Sequence, residues 1–402
     1  MVDYVPRHVD AVMAAALGSA PILILDGPRG VGKTTSAARL VNSMVTFPRD
    51  LAAVDADPDG YLSALTPPVL IDEWQLAGVD LLWTIKRIVD ADPAPGRFLL
   101  TGSVEPATYG PTYPLTGRAV RVVMRPLSHQ EFLGRGDQPC FLTRLHEGQA
   151  PALGGDVAAP LELTEIARPG FPAVRGLADG RLFYDAYTAV VAQRAGDEGR
   201  DSSRLLRTLR VLGTLTAQAV PDQRIWDAAD INKATWKHYD DLVSRIHLSA
   251  PAPPFENNRL KRLTGYPKRF MADTGMAMAL SDLSVHDLVA EPSLAGRYLE
   301  SWVMQQLRPQ VDVVGGHLSH LRTGAGEREV DAVIEVGRSV IALEVKLGTR
   351  PVRDDARQLQ WLRDQLGDRF THGFVVHTGS ACYPLGSRLL ALPAGLLTGS
   401  PP

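Results

Sequence analysis

The stretch Ile22-Leu23-Ile24-Leu25-Asp26-Gly27-Pro28-Arg29-Gly30-Val31-Gly32-Lys33-Thr34-Thr35 decides how the N-terminal part of the chain folds. Ile22 to Leu25 reads as a buried strand, and Thr35 to Val45 reads as a helix. Between them, Gly27 to Thr34 matches G-x-x-x-x-G-K-[ST]. Strand, glycine-rich loop and helix in that order form a phosphate cradle, with loop N–H groups and a helix N-terminus turned toward the anion. The candidate nucleotide-binding residues are Gly27, Pro28, Arg29, Gly30, Val31, Gly32, Lys33, Thr34 and Thr35. Lys33 is expected to reach the β- and γ-phosphates, and the Thr34 hydroxyl to bind Mg2+.

Two further strand ends fit that chemistry. Val69-Leu70-Ile71 runs into Asp72 and Glu73. Asp72 is a candidate Mg2+ ligand and Glu73 a candidate general base for the attacking water. Phe98-Leu99-Leu100 ends in Thr101-Gly102-Ser103, where the Thr101 hydroxyl is a candidate contact for the γ-phosphate or its water. Together with a final strand near 119–123, these segments predict a parallel α/β sheet.

At 402 residues the chain predicts two or three domains. Hydrophobic and charged contents of 45% and 22% are those of a globular protein. A net charge of −3 points neither toward nor away from nucleic acid. Two distant cysteines, Cys140 and Cys382, exclude a disulfide framework and a cysteine-based zinc site, and fit a cytoplasmic location. The apolar stretch over residues 11–25 is broken by Gly18 and Pro21 and runs into the loop, so it reads as helix and strand rather than signal peptide. No membrane span is expected, because no other apolar run approaches the roughly 18 residues required.

In order along the chain, Tyr4-x-x-Arg7, the glycine-rich loop, Ile71-Asp72-Glu73-Trp74-Gln75, Leu100-Thr101-Gly102-Ser103, Leu115-Thr116-Gly117-Arg118 and Pro126-Leu127-Ser128-x-x-Glu131-Phe132 carry a resemblance. The sequence resembles the prokaryotic AAA-type P-loop ATPases that bear a C-terminal restriction-endonuclease-like domain of unknown function. The resemblance implies ATP rather than GTP, and it makes Arg118 a candidate arginine finger, acting in cis or in trans. A homo-oligomer would accompany the trans case. The expected organisation is an AAA-type ATPase domain over residues 1–135, a helical or winged-helix connector over 136–290, and an α/β nuclease-like domain over 291–402.

In the connector, Ile225 to Ile246 reads as helix, turn at Asp230–Lys233, and second helix, compatible with a helix-turn-helix. Arg259, Lys261, Arg262, Lys268 and Arg269 are candidate DNA-phosphate contacts. Asp227, Asp230, Asp240 and Asp241 on the same helices favour a packing role instead. Further on, Glu329 to Ile334 and Val340 to Lys346 read as a hairpin around Gly337-Arg338. Asp331, Glu344 and Lys346, with Glu300 on an upstream helix, resemble the D…ExK metal site of restriction-endonuclease-like nucleases. That likeness implies Mg2+ held by Asp331 and Glu344, with Glu300 as accessory ligand and Lys346 orienting the water. The leading expectation is an ATPase whose nucleotide state controls a nuclease-like, DNA-interacting domain. Its rival is a nucleotide-switched signalling or scaffold protein with an inactive nuclease fold, and a stand-alone metabolic kinase is the least favoured.

Overall fold

The computed structural model describes residues 4–102, 114–177, 180–197, 201–255, 265–323 and 328–399. Ser103 and the segment Arg259-Leu260-Lys261-Arg262 lie outside them. The chain divides into two compact units, Met1–Pro126 with Arg245–His247, and Leu127–Ser244 with Leu248–Pro402. No helix among the described residues is long and apolar enough to cross a membrane.

The first unit is built on a parallel sheet. Its strands are β1 (Ile22–Asp26), β2 (Ser43–Thr46), β3 (Val69–Asp72), β4 (Phe98–Thr101) and β5 (Ala119–Val123). They lie in the order β2-β3-β4-β1-β5, every neighbouring pair parallel. The runs Ile22–Leu25, Val69–Ile71 and Phe98–Leu100 are buried throughout because apolar layers cover both faces of the sheet. One layer includes Leu82, Ile85 and Val89 of the helix Gly78–Ala91, and the other includes Met13 and Leu17 of the helix Val9–Ser19.

One expected element changes here. The helix expected from Thr35 to Val45 spans only Lys33–Ala37, and Ser43–Thr46 forms the edge strand β2. Val45 and Thr46 pair with Ile71 and Asp72 of β3, and the Asn42 amide donates to Pro67 O at 2.6 Å. These tertiary bonds outweigh the local helical spacing of apolar residues.

The second unit holds β6 (Gly154–Asp156), β7 (Gln218–Ala219), β8 (Lys268–Arg269), β9 (His317–Arg322), β10 (Glu329–Val336), β11 (Ser339–Lys346), β12 (Phe370–His377), β13 (Ala381–Gly386) and β14 (Leu389–Pro393). All but β7 and β8 form a mixed sheet in the order β6-β13-β14-β12-β11-β10-β9. β10 and β11 are the expected hairpin, turning at Gly337 with φ 58°. β11, β12 and β14 run parallel, and the crossover helix Arg357–Leu366 packs Leu359 and Leu362 into the core beside Val333, Ala342 and Val375. The long helix Pro292–Val313 carries Glu300.

Ahead of it lies a helical region that includes Ser202–Thr214, Asp222–Ala228 and Lys233–Arg245. The last two form the expected helix-turn-helix, with Asp230 in the left-handed region at φ 53°. Arg269 does not face solvent as a DNA contact would. Its guanidinium is buried and bonds Asp222 and Asp240 at 2.8 Å each, one on each helix of that pair. Lys268 is buried as well. The packing role is the one the structure gives these two residues.

Asp273 organises the middle of this unit. It is fully buried, caps the helix Thr274–Leu280, and accepts from Met276 N and Gly170 N at 2.8 Å and from the Tyr184 hydroxyl at 2.6 Å. The Gln305 amide adds a fourth bond at 3.3 Å. Burial raises its pKa despite these donors. Removing the carboxyl strands several buried donors, so Asp273→Ala should cost about 3 kcal/mol and Tyr184→Phe only about 1 kcal/mol. Urea unfolding followed by far-UV circular dichroism measures both, and equal effects would show that the network does not depend on Asp273.

Candidate nucleotide site

β1 delivers Asp26 to the carboxyl edge of the first sheet, where the glycine-rich loop begins. Gly27 sits at φ 144°, and a Cβ there would lie 2.2 Å from Met124 O, so no larger residue fits. Gly32, at φ 104°, turns the chain into the helix Lys33–Ala37. Arg29, Gly30 and Thr35 are exposed at the loop tip and helix face, whereas Pro28 and Val31 are buried.

Lys33 is buried, and its ammonium donates to Gly27 O at 2.8 Å and Pro28 O at 2.9 Å. Burial lowers its pKa to about 8, against the pull of Glu73, Asp26 and Asp72. The ammonium therefore rests on neutral carbonyls, partners it can leave for a phosphate.

Asp72 is the meeting point of three elements. Its Oδ1 accepts from Thr34 Oγ1 at 2.8 Å and from Thr101 Oγ1 at 2.5 Å. Strand register makes the second bond possible, because Thr101 is aligned with Asp72 on one side and Leu25 on the other. Thr101 thus orients the Asp72 carboxylate. Thr34 and Asp72 are the hydroxyl and carboxylate that would hold Mg2+, and their direct bond fits that donor set.

Glu73 follows in a left-handed conformation, φ 54° and ψ 40°, which is uncommon for a residue with a side chain. Its Oε2 accepts a hydrogen bond from Gln75 Nε2. Gly102 leaves room for this arrangement, since a Cβ there would come within 2.7 Å of Gln75 Oε1 and 3.0 Å of Trp74 Nε1. Gln75 is a positioning residue that the motif alone does not reveal.

Tyr4 and Arg7 stand in the motif set as well, and the structure supplies the contacts that the motif does not. The buried Arg7 guanidinium donates to Val31 O at 2.9 Å and Arg125 O at 2.5 Å, bracing the loop from beneath. The Tyr4 hydroxyl bonds Asp10 at 2.7 Å and Ser36 at 2.9 Å, and Arg39 lies 4.1 Å over the Tyr4 ring. Tyr4, Asp10, Ser36, Arg39 and Leu40 line a cleft of about 440 Å3 beside the helix Lys33–Ala37.

Arg118 does not reach this site within its own chain. Its carbonyl accepts from Ile22 N at 3.3 Å, which puts it beside the start of β1, at the opposite edge of the sheet from the loop. The five residues of β1 separate the two edges by about 15 Å. The Arg118 side chain pairs instead with Asp90, whose carboxyl is held down to about 2 by Arg118 and Lys86. Arg121, three residues on, reaches the loop edge and pairs with Asp26 at 2.9 Å.

In the second unit, Asp331 and Glu300 of the expected set meet at a cation, and that cation is Lys268, whereas Glu344 lies apart from it. Its ammonium lies 2.6 Å from Glu300, 3.0 Å from Asp331 and 3.1 Å from Glu329. Asp331 Oδ2 also accepts from Val345 N at 2.9 Å, and Glu344 pairs with Lys346 at 2.9 Å. Among the described residues, no three histidine, cysteine or acidic side chains are arranged to hold a metal ion. Lys346 is committed to Glu344 and does not stand over a ligand set.

Residues 19–133 match the family described as AAA domain. Residues 179–287 and 295–397 match two domains of unknown function, DUF8612 and DUF4143. The chain thus carries an AAA-type P-loop ATPase domain followed by two domains whose function is unknown. Uncharacterized proteins of Mycobacterium tuberculosis and Mycobacterium bovis are each 27% identical over 412 residues, covering 98% of this chain and 85% of theirs. A Walker-type ATPase of Pyrococcus abyssi is similar over 69% of this chain and 99% of its own, with 14% identity and a TM-score of 0.40.

Gln75→Ala should lower kcat for nucleotide hydrolysis about tenfold while leaving KM nearly unchanged, because it frees Glu73 without touching the phosphate cradle. Steady-state kinetics separate the two constants, and a change confined to KM would remove Gln75 from the positioning role.

Proposed function

We propose that this chain binds and hydrolyses ATP with Mg2+ and uses the nucleotide state to control its C-terminal domain. The observation that carries the ATPase part is the convergence of Thr34 and Thr101 on Asp72, next to a Lys33 whose ammonium donates to the Gly27 and Pro28 carbonyls. Lys33 turns from the Gly27 and Pro28 carbonyls to the phosphate oxygens and neutralises charge that accumulates there. Mg2+ bound with the nucleotide would be held through Thr34 and Asp72, and supplies charge neutralisation at the phosphates. Glu73, steadied by Gln75, takes a proton from the water that attacks the γ-phosphate, giving ADP and inorganic phosphate. The cleft beside Tyr4 and Arg39 offers an aromatic ring and a guanidinium for a purine base.

For the C-terminal domain, the Lys268 seating favours the reading of a nucleotide-switched protein with a nuclease-like fold over that of a working nuclease. DNA remains a partner suggested by the helix-turn-helix, with no support from Lys268 or Arg269, both buried in ion pairs. If Arg118 acts on phosphate, it does so on a neighbouring copy of the chain.

Lys33→Ala and Glu73→Gln should each reduce Mg2+-dependent ATP turnover by about 100-fold or more, with Glu73→Gln retaining ATP binding. Phosphate release assays beside equilibrium binding decide it, and full turnover in Glu73→Gln would assign the base elsewhere. The depressed pKa of Lys33 adds a pH test. Below about 8 the ammonium is charged and binding needs no proton; above it, binding must first recharge the amine. ATP affinity should therefore weaken as pH rises through about 8, and Lys33→Arg should abolish that dependence.

A further inference from the structure

Backbone bonds on both sides fix where the Lys268 side chain emerges. Lys268 exchanges two hydrogen bonds of 2.9 Å with Ala252, and Arg269 O accepts from Ala217 N at 2.7 Å. Adjacent residues on a strand point to opposite faces. Arg269 accordingly turns to Asp222 and Asp240 of the helix-turn-helix, and Lys268 turns to Glu300, Glu329 and Asp331. Only 3% of the Lys268 side chain is exposed.

Two separate elements supply the carboxylates around it. Glu300 comes from the long helix Pro292–Val313, while Glu329 and Asp331 come from β10. Glu344 of β11 completes the cluster one register step beyond the Ala332–Leu343 pair. It pairs with Lys346, yet its second oxygen, Oε2, is buried without a hydrogen-bond partner among the described residues. Four carboxylates thus face two ammonium groups. Crowded carboxylates of this kind are tolerated only beside a cation or in protonated form, and a buried cation must itself be fully partnered.

We propose that Lys268 is the resident cation of this cluster, an internal ammonium plug that closes it to divalent metal until β8 withdraws. The ammonium supplies one positive charge, paired closely with Glu300, and N–H donors to Glu329 and Asp331 at once. A divalent ion seated among the same oxygens would have to displace it, leaving a buried amine with no partner. The plug is part of the chain, so metal competes with it only through the conformation in which β8 has withdrawn.

Manganese binding followed by electron paramagnetic resonance tests this on the full-length, nucleotide-free protein. The Asp331→Asn variant separates this cluster from any other manganese site. Wild type and Asp331→Asn should bind manganese alike. Lys268→Met should gain one saturable site, which the double variant Lys268→Met, Asp331→Asn should lose. A wild-type site abolished by Asp331→Asn would overturn the proposal, as would a folded Lys268→Met protein that gains nothing. A second measurement covers the case in which Lys268→Met does not fold. Amine labelling of the wild-type protein, read by mass spectrometry, should leave Lys268 unmodified with or without manganese. Labelling that appears when manganese is added would mean that metal displaces the lysine directly, and the plug would be refuted.

Discussion

An ammonium group withdrawn from water needs replacement partners, and the kind of partner decides whether the group is held or merely parked. This chain buries two lysines and treats them in opposite ways. Lys33 meets two backbone carbonyls, which return only part of its lost hydration, and burial pulls its pKa down to about 8. Lys268 meets three carboxylates, and although burial opposes its charge, Asp331, Glu300 and Glu329 outweigh that and hold the proton more tightly than in water. The first arrangement suits a group that must move to an incoming polyanion. The second suits a group whose task is to stay.

The same contrast appears among the acids. Glu300 and Glu344 are pushed upward, Glu300 by burial and the nearby Asp331, Glu344 to about 8 by the same causes. Asp90, at the surface, is held down to about 2 by Arg118 and Lys86. An exposed pair of that sort adds little to stability. The position of Arg118 therefore follows from strand direction rather than from the strength of its ion pair. In a parallel sheet the phosphate loop lies at the carboxyl edge, and a side chain at the amino end of β5 is a strand length away.

What could be read from the residues alone was what backbone geometry demands. Gly27 and Gly32 are needed where a Cβ would collide or φ is positive, so their spacing with Lys33 and Thr34 was legible. Asp72 and Glu73 were legible because an apolar run that ends in two acids, common by itself, gains meaning downstream of a phosphate loop. Gln75, Arg7 and Arg121 were not, since their roles depend on space left by Gly102, on the carbonyl of Val31, and on β5 lying beside β1. The segment from Thr35 to Thr46 misled because Leu40, Val41, Met44 and Val45 satisfy helical spacing, while pairing with β3 draws its end into the sheet. The fold of the C-terminal hairpin and the meeting of Asp331 with Glu344 were readable from period-two alternation. Lys268 was not, because it lies 63 positions before Asp331 and looks, in the sequence, like half of a basic surface pair.

That pair is better understood as one device. In Lys268-Arg269 a single strand step sends one cation into the C-terminal sheet domain and the other into the helix-turn-helix. Each cation is buried and each is matched by acids from two different elements. Arg269 contributes a planar guanidinium that bonds two aspartates simultaneously, whereas the compact ammonium of Lys268 sits among three carboxylates arranged around a point. Neither residue could leave without exposing uncompensated charge on the opposite side, so β8 moves only if both contacts break together. Two ion-pair clusters thus share one backbone strand, and the strand is held from both faces at once.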